Sequence, residues 1–424
     1  MPKDQSGFFK EKKEWSEIKD SLLECYLTPY FQKVLRTYKP ICYVDCFAGK
    51  GKFDDGKDGS PLIAMKCIYD SIRTSRLDEN QLQNAISPYF IELNHGADLR
   101  DNLRLAPAFP GRYEVIDGKF EDNICDILSA RKGENVFLYI DPYGIKALDS
   151  NLFDKILSYD FRSFEMLINF NSFGFFRDAC QVMRFDPSKD TAFQDLDDLV
   201  EYEPTVVDSS PKSEELLTAI AGGDYWKDIV RDYQNGIING YHAEMCLSTA
   251  YKEHLKKKHP YVLDMPIRLK DKNRPKYRMI HVSGHEEACF LMAENMLKRK
   301  DELFLNVQSG GQISMFDFNI SQNMDSSVEG EVVTEEEIKQ KVRTFIRDSS
   351  SDMGYKSFVA GFYTRNGLIC RMEMLQSILT NLEKEGFVEI LRDPPFTEKT
   401  HKKSSFWLDS ASKGRKVTIR RKQP

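Results

Sequence analysis

The stretch Ile41 to Phe53, I-C-Y-V-D-C-F-A-G-K-G-K-F, constrains this chain more than any other. Ile41, Tyr43, Val44 and Phe47 make a short β-prone run, and Ala48, Gly49 and Gly51 then stop it with residues small enough for backbone to approach a ligand. A buried strand that ends in an acid and a glycine turn is how open α/β sheets build a nucleoside pocket at their carboxyl edge. Asp45 is that acid. The turn does not read Gly-x-Gly-x-x-Gly into a helix, so a pyrophosphate on a helix N-terminus is not its natural ligand. Gly51-Lys52 is followed by Phe53, which excludes a P-loop.

Further strands are expected at 88–93, 112–116, 136–140 and 164–170, and each of the first three is followed or closed by an acid. Glu92 closes the second strand, about 47 residues after Asp45 rather than the usual 20 or so, a delay explained by the loop D-D-G-K-D-G and the polar stretch from Ser71 to Ser87. Asp117-Gly118 ends the third strand where an adenine ring would lie, and the fully apolar fourth strand delivers Asp141-Pro142-Tyr143-Gly144. In a parallel sheet Asp45, Glu92, Asp117 and Asp141 converge on one edge. A single acid after a strand is also an ordinary helix N-cap, and that alternative stands for Asp117.

Asp45, Phe47, Ala48, Gly49 and Gly51 resemble motif I of S-adenosylmethionine (SAM) dependent methyltransferases, in the Asp-x-Phe-Ala-Gly-x-Gly form of enzymes that methylate nucleic acids. The resemblance implies that these residues, with Glu92 on the ribose hydroxyls and Asp117 and Gly118 at the adenine, hold SAM. Asp141-Pro142-Tyr143-Gly144 resembles motif IV of methyltransferases acting on exocyclic base amines. There the acid and a main-chain carbonyl accept the amine's hydrogens and the aromatic ring stacks on the base, which implies catalytic roles for Asp141, Pro142 and Tyr143. The motif has one proline fewer than Asp-Pro-Pro-Tyr and is closer to the Asp-Pro-Phe-Gly of transfer-RNA guanosine-N2 methyltransferases, so the target base stays open. C5-cytosine chemistry needs a cysteine after proline, and no Pro-Cys occurs.

With W-S-E-I-K near the start, D-G-S-P-L-I-A-M, F-I-E-L-N and R-M-I-H-V-S-G-H-E-E-A, these motifs resemble the three-Cys-motif partner (TcmP) family over roughly residues 10 to 300. That resemblance implies a bacterial methyltransferase-like protein working with a separate cysteine-motif protein that resembles radical-SAM enzymes. A fold that binds nucleotide or partner without transferring a methyl is the rival expectation.

The expected architecture is α/β: a class I methyltransferase (Rossmann-like) sheet over residues 1–300, with a helical insertion at about 171–258 lying over the pocket. A hairpin at 262–269 and 276–282 closes the sheet, and residues 14–38 form an amphipathic helix that packs on it. A linker at 301–332, rich in Gly, Ser, Gln and Asn, leads to a winged-helix-like domain at 333–410, with helices at 335–346, 364–370 and 372–385 and a hairpin at 386–391 and 404–408. A basic tail, 411–424, follows. Within the linker, Gln312 to Phe316 resembles the peptide by which bacterial DNA enzymes bind the sliding clamp; pinning of the linker to its own domain is the alternative.

At 424 residues and 41% hydrophobic, the chain supports one large and one smaller core. A net charge of −6 argues against a uniformly basic nucleic-acid-coating protein but is compatible with a local basic groove, so nucleic acid, RNA or DNA, stays an expected partner. Nine scattered cysteines without Cys-x-x-Cys predict reduced thiols, no zinc site and a cytoplasmic protein, with Cys46 part of the core. No apolar run is long enough for a membrane span. His281 and His285 lack a third metal ligand and are expected to cap or hydrogen-bond.

Overall fold

The structure, a computed structural model, describes residues 9–194, 208–268, 275–309, 333–349, 352–397 and 400–422. Five strands, β1 (Ile41–Asp45), β2 (Ile86–Glu92), β3 (Glu114–Asp117), β4 (Asn135–Ile140) and β5 (Ser163–Phe170), pair in parallel. β6 (Tyr261–Arg268) and β7 (Pro275–Ser283) form an antiparallel hairpin, and β7 lies antiparallel against β5. The order is β3-β2-β1-β4-β5-β7-β6. This seven-stranded, mostly parallel sheet is consistent with a Rossmann-like methyltransferase fold.

Strand composition explains why both faces are covered. β1 and β4 are buried at every residue, and side chains alternate between faces with period two. Tyr43, Phe137 and Leu167 point to one side, where α1 (Glu14–Leu35) and α2 (Ser60–Arg73) pack; Val44, Leu138 and Ile168 point to the other. Tyr26 and Tyr30 of α1 lie within 6 Å of Phe137, so the helix is anchored by rings, each of which contributes about 1.5–3 kcal/mol on burial. Gly59 occupies the N-cap of α2, and Pro61 sits in its first turn. Two short helices, α3 (Glu79–Gln83) and α4 (Gly96–Leu103), flank β2; α5 (Phe120–Ser129) and α6 (Ser150–Leu157) complete the crossovers.

Between β5 and β6 run α7 (Ser172–Val182), α8 (Thr191–Gln194), α9 (Pro211–Ala221), α10 (Tyr225–Gln234) and α11 (Gly240–Lys256). The expectation that this block lies over the pocket needs correction. Phe173, Phe176, Trp226, Val230 and Leu247 join the core with Val262 and Ile280, so the helices bury their apolar faces on the sheet. None of the block's described residues lines the cleft described below.

α12 (Glu286–Ser309) crosses the face shared with α1 and continues through residues 301–309, which therefore belong to a helix rather than to a linker. Gln312 to Phe316 lie outside the described residues. The C-terminal region runs α13 (Glu335–Asp348), β8 (Met353–Gly354), α14 (Tyr355–Asn366), α15 (Met372–Lys384), β9 (Val388–Asp393) and β10 (Lys416–Arg421), with sheet order β8-β10-β9. Two expectations fail here. The middle helix is at 355–366 instead of 364–370, because its aromatic-rich text and interior Gly361 obscure the helical stripe. The second hairpin strand is not 404–408 but 416–421, inside the expected basic tail, where only Val417 and Ile419 face inward and flanking cations hide the alternation. α14 packs on α12 and β6, and Phe358, Leu375 and Val417 belong to the same apolar core as Tyr43.

Candidate functional site

At the carboxyl ends of β1, β2 and β4 a cleft of about 450 Å³ opens, within the size range that holds small cofactors. Cys46 to Gly49, Gly51, Ile91, Glu92, Gly118 and Phe120 line one part, Asp141, Pro142, Tyr143 and Asn169 another. Gly49 and Gly51 adopt φ of +62° and +79°, a region costly for other residues, and a Cβ on Gly51 would stand 2.9 Å from Leu99 Cδ1. Glu92 fastens this turn: its carboxylate accepts from Gly49 N at 2.8 Å, Asn94 N at 2.8 Å and His95 N at 3.0 Å.

Asp45 is fully buried, and one oxygen accepts from Phe47 N at 3.3 Å. Burial pushes its carboxyl up to about 7 even though the Ser60 hydroxyl and the Phe47 amide pull the other way. Its Oδ2 has no hydrogen-bond partner among the described residues. A buried acceptor left without a donor costs about 1–3 kcal/mol, so a ligand that brings one is favoured.

α1 contributes a second half of the site that the sequence reading assigned only to packing. Lys19 donates to both oxygens of Asp141, at 2.9 and 2.7 Å, and its ammonium lies 5.2 Å from the Tyr277 ring. Asn169 Nδ2 adds a bond of 2.7 Å to Asp141 Oδ1, and Tyr139 OH one of 3.4 Å to Oδ2. That bond fixes the amide orientation and leaves Asn169 Oδ1 buried with no partner among the described residues. Next to Lys19, Asp20 pairs with Lys12 at 2.6 Å, yet desolvation outweighs Lys12 and raises the Asp20 carboxyl to about 6. Lys12 belongs to a segment laid across the cleft: Asp54 N donates to Phe9 O at 2.8 Å, Lys12 N to Asp55 Oδ2 at 3.0 Å, and Lys12 Nζ to Asp58 O at 2.6 Å. The Phe9 ring covers Gly49 and meets His95 edge-on at 5.0 Å.

Of the residues singled out by sequence, Phe47, Ala48, Gly49, Gly51, Glu92, Gly118, Asp141, Pro142 and Tyr143 border one cleft, while Asp45 is fully buried beside its lining residue Cys46. Cys46, read as core, is buried and also borders it. The Asp117 carboxylate does not: it is exposed and paired with Arg100 at 2.7 and 3.1 Å. Lys19, Asp20, Asn169, Tyr277 and Phe9 were missed; the motif W-S-E-I-K, which contains Lys19, was the available signal for the first. His281 meets Glu165 at 3.2 Å inside the core, and His285 Nδ1 accepts from Glu287 N at the start of α12. Among the described residues no group of three or more His, Cys, Asp and Glu is placed to hold a metal ion, and no helix is long and apolar enough to cross a membrane.

No protein-family model matches this chain, and no curated protein does. Among solved structures it is similar to the crystal structure of the plantazolicin methyltransferase BamL in complex with triazolic desmethylPZN analog and SAH. The identity is 11%, the match covers 66% of this chain and 89% of that one, and the TM-score is 0.30. At that distance the likeness carries no weight beside the sheet order and the cleft.

Proposed function

We propose that this chain is a SAM-dependent methyltransferase acting on an exocyclic base amine of nucleic acid, RNA or DNA. The observation that carries the reading is the convergence of the Gly49–Gly51 turn, Glu92 and Asp141 on one cleft, next to the buried Asp45, with two buried acceptors, Asp45 Oδ2 and Asn169 Oδ1, lacking donors among the described residues. The residues fit the cofactor: Asp45 Oδ2, unpartnered among the described residues and one residue from the lining Cys46, would accept from its ammonium group, the glycine turn admits backbone contact, and Ile91, Leu93 and Phe120 offer an apolar slot for adenine. SAM, when bound, supplies an electrophilic methyl. The protein's part is to orient the nitrogen that receives it. Asp141, Asn169 Oδ1 and the Pro142 carbonyl are acceptors for the amine's hydrogens, which leaves the nitrogen lone pair free. Tyr143, 44% exposed, lines the cleft, and its ring is of the kind that stacks on an extruded base. Lys119 and Lys146 beside it are exposed and have no ion-pair partner among the described residues, which suits a phosphate backbone.

The helix and strand order of the C-terminal region supports a winged-helix reading, and the motif resemblance supports a three-Cys-motif, radical-SAM-like protein as the partner in the cytoplasm. One observation favours a second reading, a catalytically silent nucleotide- or partner-binding scaffold: Lys19, Asn169 and Tyr139 already occupy both Asp141 oxygens. Calorimetric titration with SAM and S-adenosylhomocysteine (SAH), then transfer of tritiated methyl to mixed RNA or DNA, separates the two. An enzyme labels nucleic acid and Asp141→Ala abolishes the label; a scaffold binds and never labels. Labelling that survives Asp141→Ala would remove Asp141 from the site.

A further inference from the structure

The described parts of the connection from β9 to β10, residues 394–397 and 400–415, are basic. Two turns fold it back on itself: Thr397 N donates to Lys402 O at 2.9 Å, and Ser410 and Arg415 exchange two backbone bonds of 2.9 Å. Aromatic rings pin the rest, with the Arg392 guanidinium 4.9 Å from the Trp407 ring and that of Arg415 5.0 Å from Phe406. The loop therefore presents its charges without paying much ordering entropy on contact. Lys402, Lys403, Lys413, Arg415 and Lys416 are all exposed, and among them only Lys403 has a carboxylate within 4 Å among the described residues, Glu383 at 3.7 Å. This concentration of positive charge stands on a chain whose net charge is −6. The neighbouring helix α15, which would be the base-reading element of a helix-turn-helix, exposes Glu373, Ser377 and Lys384 and carries no such excess.

We propose that the β9–β10 wing is a docking surface for the phosphate backbone of a nucleic-acid duplex, engaged through the wing's cations and not through α15. Charge complementarity is the argument, and it deepens the nucleic-acid reading above. Contacts made to phosphates alone hold a duplex in register without reading its sequence, so the wing selects for form and charge while the cleft deals with the base. Among its described residues the wing has no amphipathic helix face to sink into lipid, which disfavours a membrane surface.

Anisotropy of labelled DNA and RNA duplexes of about 20–30 base pairs, titrated with the full chain at about 50 and 200 mM salt, tests this. Wild type is expected to bind without sequence preference and to weaken by about two orders of magnitude between those salts. Lys402→Glu/Lys413→Glu/Lys416→Glu should bind at least tenfold more weakly at the lower salt, with a log–log salt slope shallower by about 2–3. SAH binding, unchanged in that variant, shows that it is folded. Lys384→Glu on α15 should bind as wild type does. The proposal is overturned if wild type binds neither duplex, if the triple variant keeps the affinity and slope, if Lys384→Glu carries the loss instead, or if phosphatidylserine vesicles bind as tightly as the duplexes. Duplex binding by a chain that takes no SAH would support the wing and remove the cofactor reading, so the two fail separately.

Discussion

Two groups of buried charge stand near the carboxyl end of the same sheet, and they are satisfied to different degrees. In the first, Arg278 of β7 grips Glu244 of α11 at 2.7 and 2.9 Å and Asp264 of β6 at 2.7 Å, while Lys252 reaches Asp264 at 2.5 Å and Ser172 bonds Glu244. Burial alone would raise the Asp264 carboxyl, but Lys252 and Arg278 outweigh it and hold the group well below the usual carboxylate range. In the second, Asp20 and Asp45 are also buried, yet desolvation pushes their carboxyls up to about 6 and about 7, and Asp45 Oδ2 has no partner among the described residues. The first group is finished by its own neighbours and holds the hairpin to the insertion helices. The second keeps an unpartnered acceptor, among the described residues, beside the cleft at the strand tips, which is how a protein reserves electrostatic capacity for a ligand.

That contrast breaks most directly at Arg278. Arg278→Met leaves two buried carboxylates without their guanidinium and should destabilise the fold by roughly 3–5 kcal/mol in urea unfolding. A loss below about 1 kcal/mol would mean that the first group is no better satisfied than the second. Asp45→Asn should act in the opposite sense. The folded chain holds the Asp45 proton up to about pH 7 whereas the unfolded chain releases it near 3.8, so this residue's contribution to stability is complete below about pH 4 and is lost as pH rises through 7. The asparagine variant should therefore gain a few kcal/mol over wild type at about pH 8 and nothing at pH 4, while its affinity for SAM falls about tenfold or more. Wild-type affinity for SAM should itself rise about fivefold from pH 6 to pH 7 as Asp45 ionises. A flat profile would detach Asp45 from the cofactor. The smallest effect belongs to the exposed Arg100–Asp117 pair, where Asp117→Ala should leave the urea midpoint unchanged. If SAM binding falls in that variant, Asp117 takes part in the site despite its present partner.

Strand tips were legible in the sequence because their signals are local: a short, largely apolar run that ends in an acid. Asp45, Glu92 and Asp141 each carry that signature, and the cleft collects Glu92 and Asp141, with Asp45 buried next to its lining residue Cys46. Lys19 and Asp20 carry no such strand-tip signature, though Lys19 lies in W-S-E-I-K; on an amphipathic helix a charge at the polar margin reads as solvated, and only the packing of α1 over the sheet turns that margin into the wall of a cleft. Asp117 shows the converse. Its position at the end of β3 is as expected, but Arg100, one turn into α4, takes its carboxylate. β10 was hidden for a third reason: Val417 and Ile419 are too few apolar residues to announce a strand among six cations in the last twelve residues.

The helix that supplies the counter-ion of Asp141 also leans on the far end of the chain. α1 packs along α12, with Arg299 Nη1 donating to Ser21 Oγ at 2.7 Å, and α12 in turn supports α14 through Lys356 and Glu287 at 2.8 Å and Ser357 and Glu286 at 2.5 Å. Severing the chain after α12 would uncover the apolar seam around Cys289, Met292, Ala293 and Met296, on the helix that α1 packs along. A shortened protein of that kind should clump, and dissecting the two ends into independent modules would misrepresent both.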